Sequence, residues 1–388
     1  MTQAVIVGGG LAGAAAAALL ARAGARPLVI EREQGARDKI CGEFLSAEAQ
    51  AHLGALGLDL GGLGGAAITG ARLVSGRRMA QSPLPFAALG LTRRRLDEAL
   101  LAHAGRLGAR IERGVAVRSL AGACLETSAG QIEAGAILLA SGKHDVRGVR
   151  REAAGADRGM IGFKSYFRLT TAMRAALDGF VELVLFDGGY AGLMLVEDGA
   201  ANLCLLVRRR RFEAVGRAWP KLLEHLMGEP HLRARLEGAC ELSARPLSIA
   251  DPPFGFVHRA ADAATGGVFR LGDQGAVIAS FTGDGMSIAL HSARLAARAV
   301  LAGAAPSAYH ARLRADVARP VALASWLQRR LEAWPGRRAA LLGLGLFPGV
   351  LAHLAARTRI PEPALRRAGI ATPRRPGTAT PAAGVAGP

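Results

Sequence analysis

Cysteine is scarce: the 388-residue chain has four, at 41, 124, 204 and 240. None falls in C-x-x-C spacing, so neither a disulfide framework nor a structural zinc site is expected, and a reducing cytoplasm is the expected setting. Aromatic residues are only 5% of the chain, and lysine occurs just four times, at 39, 143, 164 and 221. The net charge of +18 therefore rests on arginines spread along the whole length. No basic run is interleaved with aromatics, so the stacking platform for nucleic acid is missing and no such partner is expected. The densest run, Arg208-Arg209-Arg210-Arg211, follows a predicted strand and reads as a solvated turn. An anionic membrane surface is the better use for the surplus charge. Hydrophobic residues make up 51%, which excludes global disorder.

The first thirty residues carry the strongest signal. Val5-Ile6-Val7 runs into Gly8-Gly9-Gly10-Leu11-Ala12-Gly13, an alanine-rich helical stretch, and Leu28-Val29-Ile30-Glu31. This is strand, G-x-G-x-x-G turn, helix, and a second strand ending in an acid. Gly8 permits the tight turn, Gly10 leaves room for a pyrophosphate, and Gly13 lets helix and strand pack closely. The free N–H groups at the helix start, from Leu11 and Ala12 on, face the phosphates. Glu31 is placed to accept ribose hydroxyls and disfavours a 2′-phosphate, with Arg32 beside it in the same site. This motif alone does not separate NAD from FAD. The stretch lacks a basic leader, and its glycines fit a nucleotide turn, so it reads as mature structure.

A second element separates the two. Val268-Phe269-Arg270-Leu271-Gly272-Asp273 reads as a buried strand ending in Gly-Asp, and Thr282-Gly283-Asp284-Gly285-Met286 opens a helical run. With these residues the chain resembles FAD-dependent oxidoreductases of the p-hydroxybenzoate-hydroxylase type of fold, a group that includes flavin monooxygenases, geranylgeranyl reductases and flavin halogenases. The resemblance implies that Asp273 hydrogen-bonds the ribityl chain of FAD. It also implies that amides around Gly283, Gly285 and Met286 face the flavin N1/C2 carbonyl edge. A helix start there suits the negative charge of a reduced flavin. Arg93-Arg94-Arg95-Leu96-Asp97-Glu98-Ala99-Leu100 resembles the R-x-x-L-D-x-x-L helix of that group, which implies that Arg93 approaches the FAD. Ile137 to Gly142 resembles the strand closing the dinucleotide fold, and Val117 is assigned to the cofactor site with Lys39.

The chain also departs from the group. Ser141-Gly142 stands where aromatic hydroxylases carry Asp-Gly, which puts direct NADPH use in doubt. Ala279-Ser280-Phe281 replaces the proline near the flavin, and the W-x-W-x-I-P signature of tryptophan halogenases is absent, so halogenation is disfavoured. Lys39-Ile40-Cys41-Gly42 resembles the K-x-C motif of geranylgeranyl reductases. On that reading Cys41 is a proton donor or substrate-positioning group, with small buried residue as the alternative.

The expected fold is α/β: a Rossmann-like FAD-binding domain of glutathione-reductase type, an antiparallel substrate-domain sheet, and C-terminal helices. The FAD domain is expected over 1–72, 93–160 and 247–300, the substrate domain over 73–92 and 161–246, the helical region over 301–370, and a disordered tail over 371–388. Phe163 to Leu169, Val181 to Phe186, Tyr190 to Val196 and Asn202 to Val207 read as strands, with Glu197-Asp198-Gly199 as a hairpin turn. Phe167, Phe186, Tyr190 and Phe281 are candidate pocket residues, and an apolar pocket favours a polyketide, quinone or isoprenoid-like substrate. Lys143-His144-Asp145 reads as a charge-anchored loop and His291 as packing. Segment 339–356 is nearly all apolar but split by Pro348; it reads as helices capping the cavity, with peripheral membrane contact as the alternative. Three activities remain open: a monooxygenase, a reductase of carbon–carbon double bonds assisted by Cys41, and a non-catalytic FAD holder. The electron donor is NAD(P)H or a separate reductase.

Overall fold

The computed structural model describes residues 3–151, 159–259, 267–332, 353 and 356–371. The chain opens with β1 (Ala4–Val7), α1 (Leu11–Arg22), β2 (Leu28–Glu31), β3 (Phe44–Leu45), α2 (Ala47–Ala55), β4 (Ala66–Ser75) and β5 (Arg78–Gly90). It continues through α3 (Arg93–Arg106), β6 (Arg110–Arg113), β7 (Val117–Ala121), β8 (Cys124–Thr127), β9 (Gly130–Glu133) and β10 (Ala136–Leu139). Then come β11 (Met160–Arg168), α4 (Thr171–Leu177), β12 (Gly179–Phe186), β13 (Gly189–Leu195) and β14 (Ala201–Arg208). Three short helices follow, α5 (Arg209–Ala214), α6 (Trp219–Leu226) and α7 (Pro230–Leu236), and two short strands, β15 (Cys240–Glu241) and β16 (Leu247–Ala250). The last elements are β17 (Val268–Arg270), α8 (Gly285–Leu301), α9 (Pro306–Glu332) and α10 (Glu362–Arg367).

β1 is Ala-Val-Ile-Val with every residue buried, as a parallel strand covered on both faces must be. It pairs in parallel with β10 and β2, and the sheet order is β17-β10-β1-β2-β6. Alanines 14 to 18 of α1 are all buried. Their small side chains let this strong helix-forming run lie close to the sheet and to α3 and α8. A three-stranded sheet, β7-β8-β9, carries Val117 at its edge.

The second large sheet runs β15-β11-β14-β13-β12-β4-β5-β3. Strand alternation splits its residues between two faces. Val184, Phe186, Leu193, Leu203, Leu205, Phe163 and Phe167 pack under Leu222, Leu226, Leu232 and Leu236 of α6 and α7. Leu73, Met160, Leu185, Tyr190 and Leu206 face Phe254, Phe256 and Val277, toward the parallel-sheet domain.

Three expectations need correction. β16 pairs antiparallel with β11, Ile161 opposite Ala250 and Lys164 opposite Leu247, so the return to the FAD domain comes after Ala250 and not at 247. β4 begins at Ala66, so the sheet claims residues before 73. The arginine cluster starts α5 at Arg209 instead of forming a turn. Most of 339–356 and the tail beyond 371 lie outside the described residues. Among the described residues no helix is long and apolar enough to cross a membrane.

Glu182, on the helix-covered face, binds Arg72 Nη1 at 2.9 Å, Arg235 Nη2 at 2.7 Å and His231 Nε2 at 2.7 Å. Burial alone would raise its carboxyl pKa; the bonds from His231, Arg235 and Arg72 outweigh that and pull it down to about 2. A depressed carboxylate stabilises the fold above its unfolded pKa, and that gain fades as pH falls toward the folded value. Of about 3 kcal/mol in all, about 2 should be gone by pH 3. Urea denaturation of Glu182→Gln at pH 6 and pH 3 should show a correspondingly smaller difference than the parent chain; an equal difference in both would refute the assignment.

Candidate active site

The glycine turn shows why each position is glycine. Gly8 has φ +103°, and a Cβ on it would stand 2.6 Å from the Ala140 carbonyl oxygen. A Cβ on Gly13 would stand 1.9 Å from the Gly8 carbonyl oxygen. Gly10 is the N-cap of α1, with no side-chain cap and no acid in the first turn. Over it stand Lys39 Nζ, 2.9 Å from the position of a Cβ, and Arg93 Nη2 at 3.8 Å. Asp97 joins these cations, accepting from Lys39 Nζ at 2.7 Å and from Arg93 Nε at 2.8 Å. Its burial would raise its pKa, but Arg93 and Lys39 hold it below the usual carboxylate range. Two cations and one acid leave net positive charge above an uncapped helix start, which is the chemistry of a pyrophosphate seat.

Glu31 closes the other side of the turn: Gly9 N–H donates to Oε2 at 2.7 Å, and Glu33 N–H to Oε1 at 2.9 Å. Leu11 and Ala12 are buried at the helix start. Arg32 does not join the turn; it pairs with Glu33 at 3.0 Å near the surface. Val117 packs half-buried against the cluster behind β1 and β10.

The second half of the site meets the first across the parallel sheet. Gly272 has φ +57°, and a Cβ there would lie 3.2 Å from Ala12 Cβ. Asp273 faces Lys143 Nζ at 3.3 Å, and its carbonyl accepts from Arg151 Nη1 at 2.9 Å. Burial would raise the Asp273 pKa; Lys143, Arg151 and Arg93 hold it low, so it is an anion ready to accept hydroxyls. Gly283, with φ +73°, lies so close to Phe44 that a Cβ would meet the ring at 2.6 Å. Gly285 and Met286 then begin α8.

The loop 39–43 seals these halves against the antiparallel sheet. Lys164, fully buried on β11, binds Glu43 Oε1 at 2.5 Å and the Lys39 carbonyl at 3.0 Å. Tyr166 donates to Glu43 Oε1 at 2.9 Å, as does the Arg93 N–H at 2.8 Å. Asn202 donates to the carbonyls of Cys41 and Gly42. Burial raises the Glu43 pKa, with Lys164, the Arg93 amide and Tyr166 opposing. Glu43 takes φ +62°, a backbone strain that this bonding sustains. Cys41 accepts from the Glu43 N–H at 3.4 Å. Against its own burial, Asp97 and the Cys41 sulfur keep Arg93 charged. Lys164, Glu43, Tyr166 and Asn202 escaped the sequence reading; a lysine in the middle of an apolar strand was the available signal.

Tyr190 and Phe281 meet edge to face, ring centroids 6.2 Å apart, and Tyr190 Oη lies 2.5 Å from Ser280 Oγ. Phe167 and Phe186 are removed from the pocket set. Both belong to the cluster under α6 and α7, and Phe186 meets His225 edge to face there. A cavity of about 220 Å³ beside Asp273's partners is lined by Lys143, Asp145, Arg151 and residues 249–253; its charges do not suit an apolar substrate. His291 is fully buried against Asp316 at 3.0 Å, as packing requires. Asp145 pairs with Arg151 at 2.7 Å, which anchors the 143–145 loop.

Gly10 is a cradle that a side chain would fill, Asp273 is an acceptor poised beside it, and α8 starts bare of a side-chain cap. These residues fit FAD. Comparison with known proteins agrees. Residues 1–123 match the family model described as FAD binding domain. Among solved structures the chain is similar to the flavin-dependent brominase Bmp2, at 18% identity and TM-score 0.73, over 91% of this chain and 92% of that one. It is similar to the myxobacterial chondrochloren halogenase CndH at 18% identity and TM-score 0.70, over 95% of each chain. It is also similar to a flavoprotein/dehydrogenase from Cytophaga hutchinsonii at 19% identity and TM-score 0.65, over 78% of this chain and 79% of that one. No curated protein sequence matches. The chain therefore has the p-hydroxybenzoate-hydroxylase type of fold and, over residues 1–123, matches an FAD binding domain.

Proposed function

We propose that this chain is a FAD-dependent monooxygenase acting on a hydrophobic small molecule. The observation that supports this reading is the apolar face of the antiparallel sheet, with Leu73, Leu185, Tyr190 and Leu206, turned toward Phe281 just before the Gly283 turn. FAD supplies two-electron transfer and oxygen activation when bound. Lys39, Arg93 and the α1 amides would hold its pyrophosphate, Glu31 its ribose, Asp273 its ribityl chain, and the start of α8 its ring edge. Tyr190 and Ser280 would offer a substrate on this apolar face one polar handle, which orients it by a single hydroxyl or carbonyl. The covering sheet would keep water from the ring.

The electron donor on this reading is NAD(P)H or a separate reductase. A second reading, reduction of carbon–carbon double bonds, is favoured by one observation: the Cys41 sulfur lies beside Arg93 in the loop that reaches the site. The neighbouring brominase and halogenase act as their names say; the absent W-x-W-x-I-P signature keeps halogenation behind both readings.

Anaerobic reduction of the FAD-loaded protein by NADH or NADPH, followed by air and a panel of quinones and polyketides, tests the choice. Substrate-dependent oxygen uptake with one oxygen atom gained in the product is expected, and Cys41→Ala should retain it. Loss of a double bond without oxygen uptake, abolished in Cys41→Ala, would overturn the monooxygenase in favour of the reductase.

A further inference from the structure

Asp284 stands at the N-cap of α8, inside the turn assigned to the flavin ring edge, and is 1% exposed. Its two oxygens are treated unequally. Oδ1 accepts from Arg359 Nη1 at 3.2 Å, while Oδ2 is buried without a hydrogen-bond partner among the described residues. The same Arg359 nitrogen is held more tightly by Glu48 Oε2, at 2.6 Å. The guanidinium lies 3.9 Å from the centroid of the Phe86 ring. Ser287 of α8 faces Asp284 and is engaged with Ser46 Oγ at 2.8 Å; Thr282 Oγ1 accepts the Asp284 N–H at 3.4 Å. Arg359, Glu48 and Ser287 are thus the groups that act on this carboxyl, while Thr282 holds the Asp284 backbone.

We infer that Asp284 takes up a proton when the bound flavin gains two electrons, and that Arg359, delivered by the C-terminal segment, sets how readily it does so. The inference rests on the FAD reading. The flavin itself takes two electrons from the reductant and one proton from solvent. The negative charge it then carries lies at the same helix start as the carboxylate, and like charges there disfavour a second anion. The Asp284 carboxylate therefore accepts a second proton from solvent on reduction, and releases it on reoxidation. The neutral form has a place ready: burial raises the Asp284 pKa and Glu48 adds to this, while Arg359 and Ser287 oppose, leaving it at about 7. Below that pH the proton is already bound; above it, reduction must bring it in.

The test is the midpoint potential of the FAD-loaded full chain, titrated with dithionite and mediators from pH 6 to 9. Each proton coupled to a two-electron couple tilts the potential by about 30 mV per pH unit. The parent chain should fall by about 60 mV per pH unit above neutrality, and Asp284→Asn by about 30. Arg359→Met should move the steep region to higher pH, and Arg359→Lys should restore it. Parallel lines for the parent and Asp284→Asn would overturn the proton uptake. An unmoved steep region in Arg359→Met would overturn the part given to Arg359, and this variant carries the test if Asp284→Asn does not fold. A chain that takes up no FAD removes the reading and the inference together; a flavin-loaded chain with parallel lines removes the inference alone.

Discussion

Gly10→Val is expected to fold like the parent and to lose FAD. A Cβ at this position crowds only the tip of the Lys39 side chain, at 2.9 Å, while Asp97 Oδ2 and Arg93 Nη2 stand at ordinary contact distances of 3.7 and 3.8 Å, and the lysine tip can swing aside. The valine side chain then occupies the space over the α1 amides. A pyrophosphate pushed from those amides forfeits charge-assisted hydrogen bonds worth about 1.5–3 kcal/mol each. Losing two of them weakens binding by at least about 100-fold. Gly13→Ala should do the opposite. Its Cβ would stand 1.9 Å from a backbone oxygen, where no side chain is free to yield. Strand and helix must separate, at a cost of about 3 kcal/mol or more. FAD titration followed by flavin fluorescence, with urea denaturation of both variants, checks the pair. Parent-like affinity in Gly10→Val would refute the pyrophosphate seat.

Lys164→Met is the second large effect. The ammonium and the Glu43 carboxylate are both fully buried, and removal of one leaves the other uncompensated. Breaking such a pair costs about 3–5 kcal/mol. The loss should free the 39–43 loop, because Lys164 also holds the Lys39 carbonyl. Adding Glu43→Gln should recover most of the stability, since a neutral amide keeps an acceptor for Tyr166 and for the Arg93 N–H. The measurement is the urea midpoint of both single variants and the double. A cost below about 1 kcal/mol for Lys164→Met would show the pair to be wet and weak.

The parts of the site that were readable from sequence are those whose chemistry lies in consecutive residues. Gly8 to Glu31 and Gly272 to Met286 each carry their own strand, turn and helix, so spacing alone places them. Lys164 and Glu43 are 121 residues apart, and nothing local joins them. Their pairing exists only because β11 lies over the 39–43 loop. The two misassigned phenylalanines have a different cause. Strand alternation divides residues between faces but does not say which face meets the cofactor. Hairpin register does: Leu185 pairs with Tyr190, so Phe186, opposite Gly189, must point the other way. The domain boundary at 247 moves because β16 joins β11, a pairing that only the partner strand reveals.

The docking of the C-terminal segment bears on how the molecule comes into being. Ile360, Ala364, Leu365, Ala368 and Ile370 belong to the same hydrophobic core as β1 and α1, and Arg359 reaches Glu48 across 311 residues. On the ribosome, made at about 5–20 residues per second, the first domain must wait with part of its apolar interior bare until this segment emerges. Contacts of such long range close slowly. The nascent nucleotide domain should therefore stay incompletely folded, and open to holding chaperones, until residues 357–371 are available to it, completion of the glycine turn not sufficing.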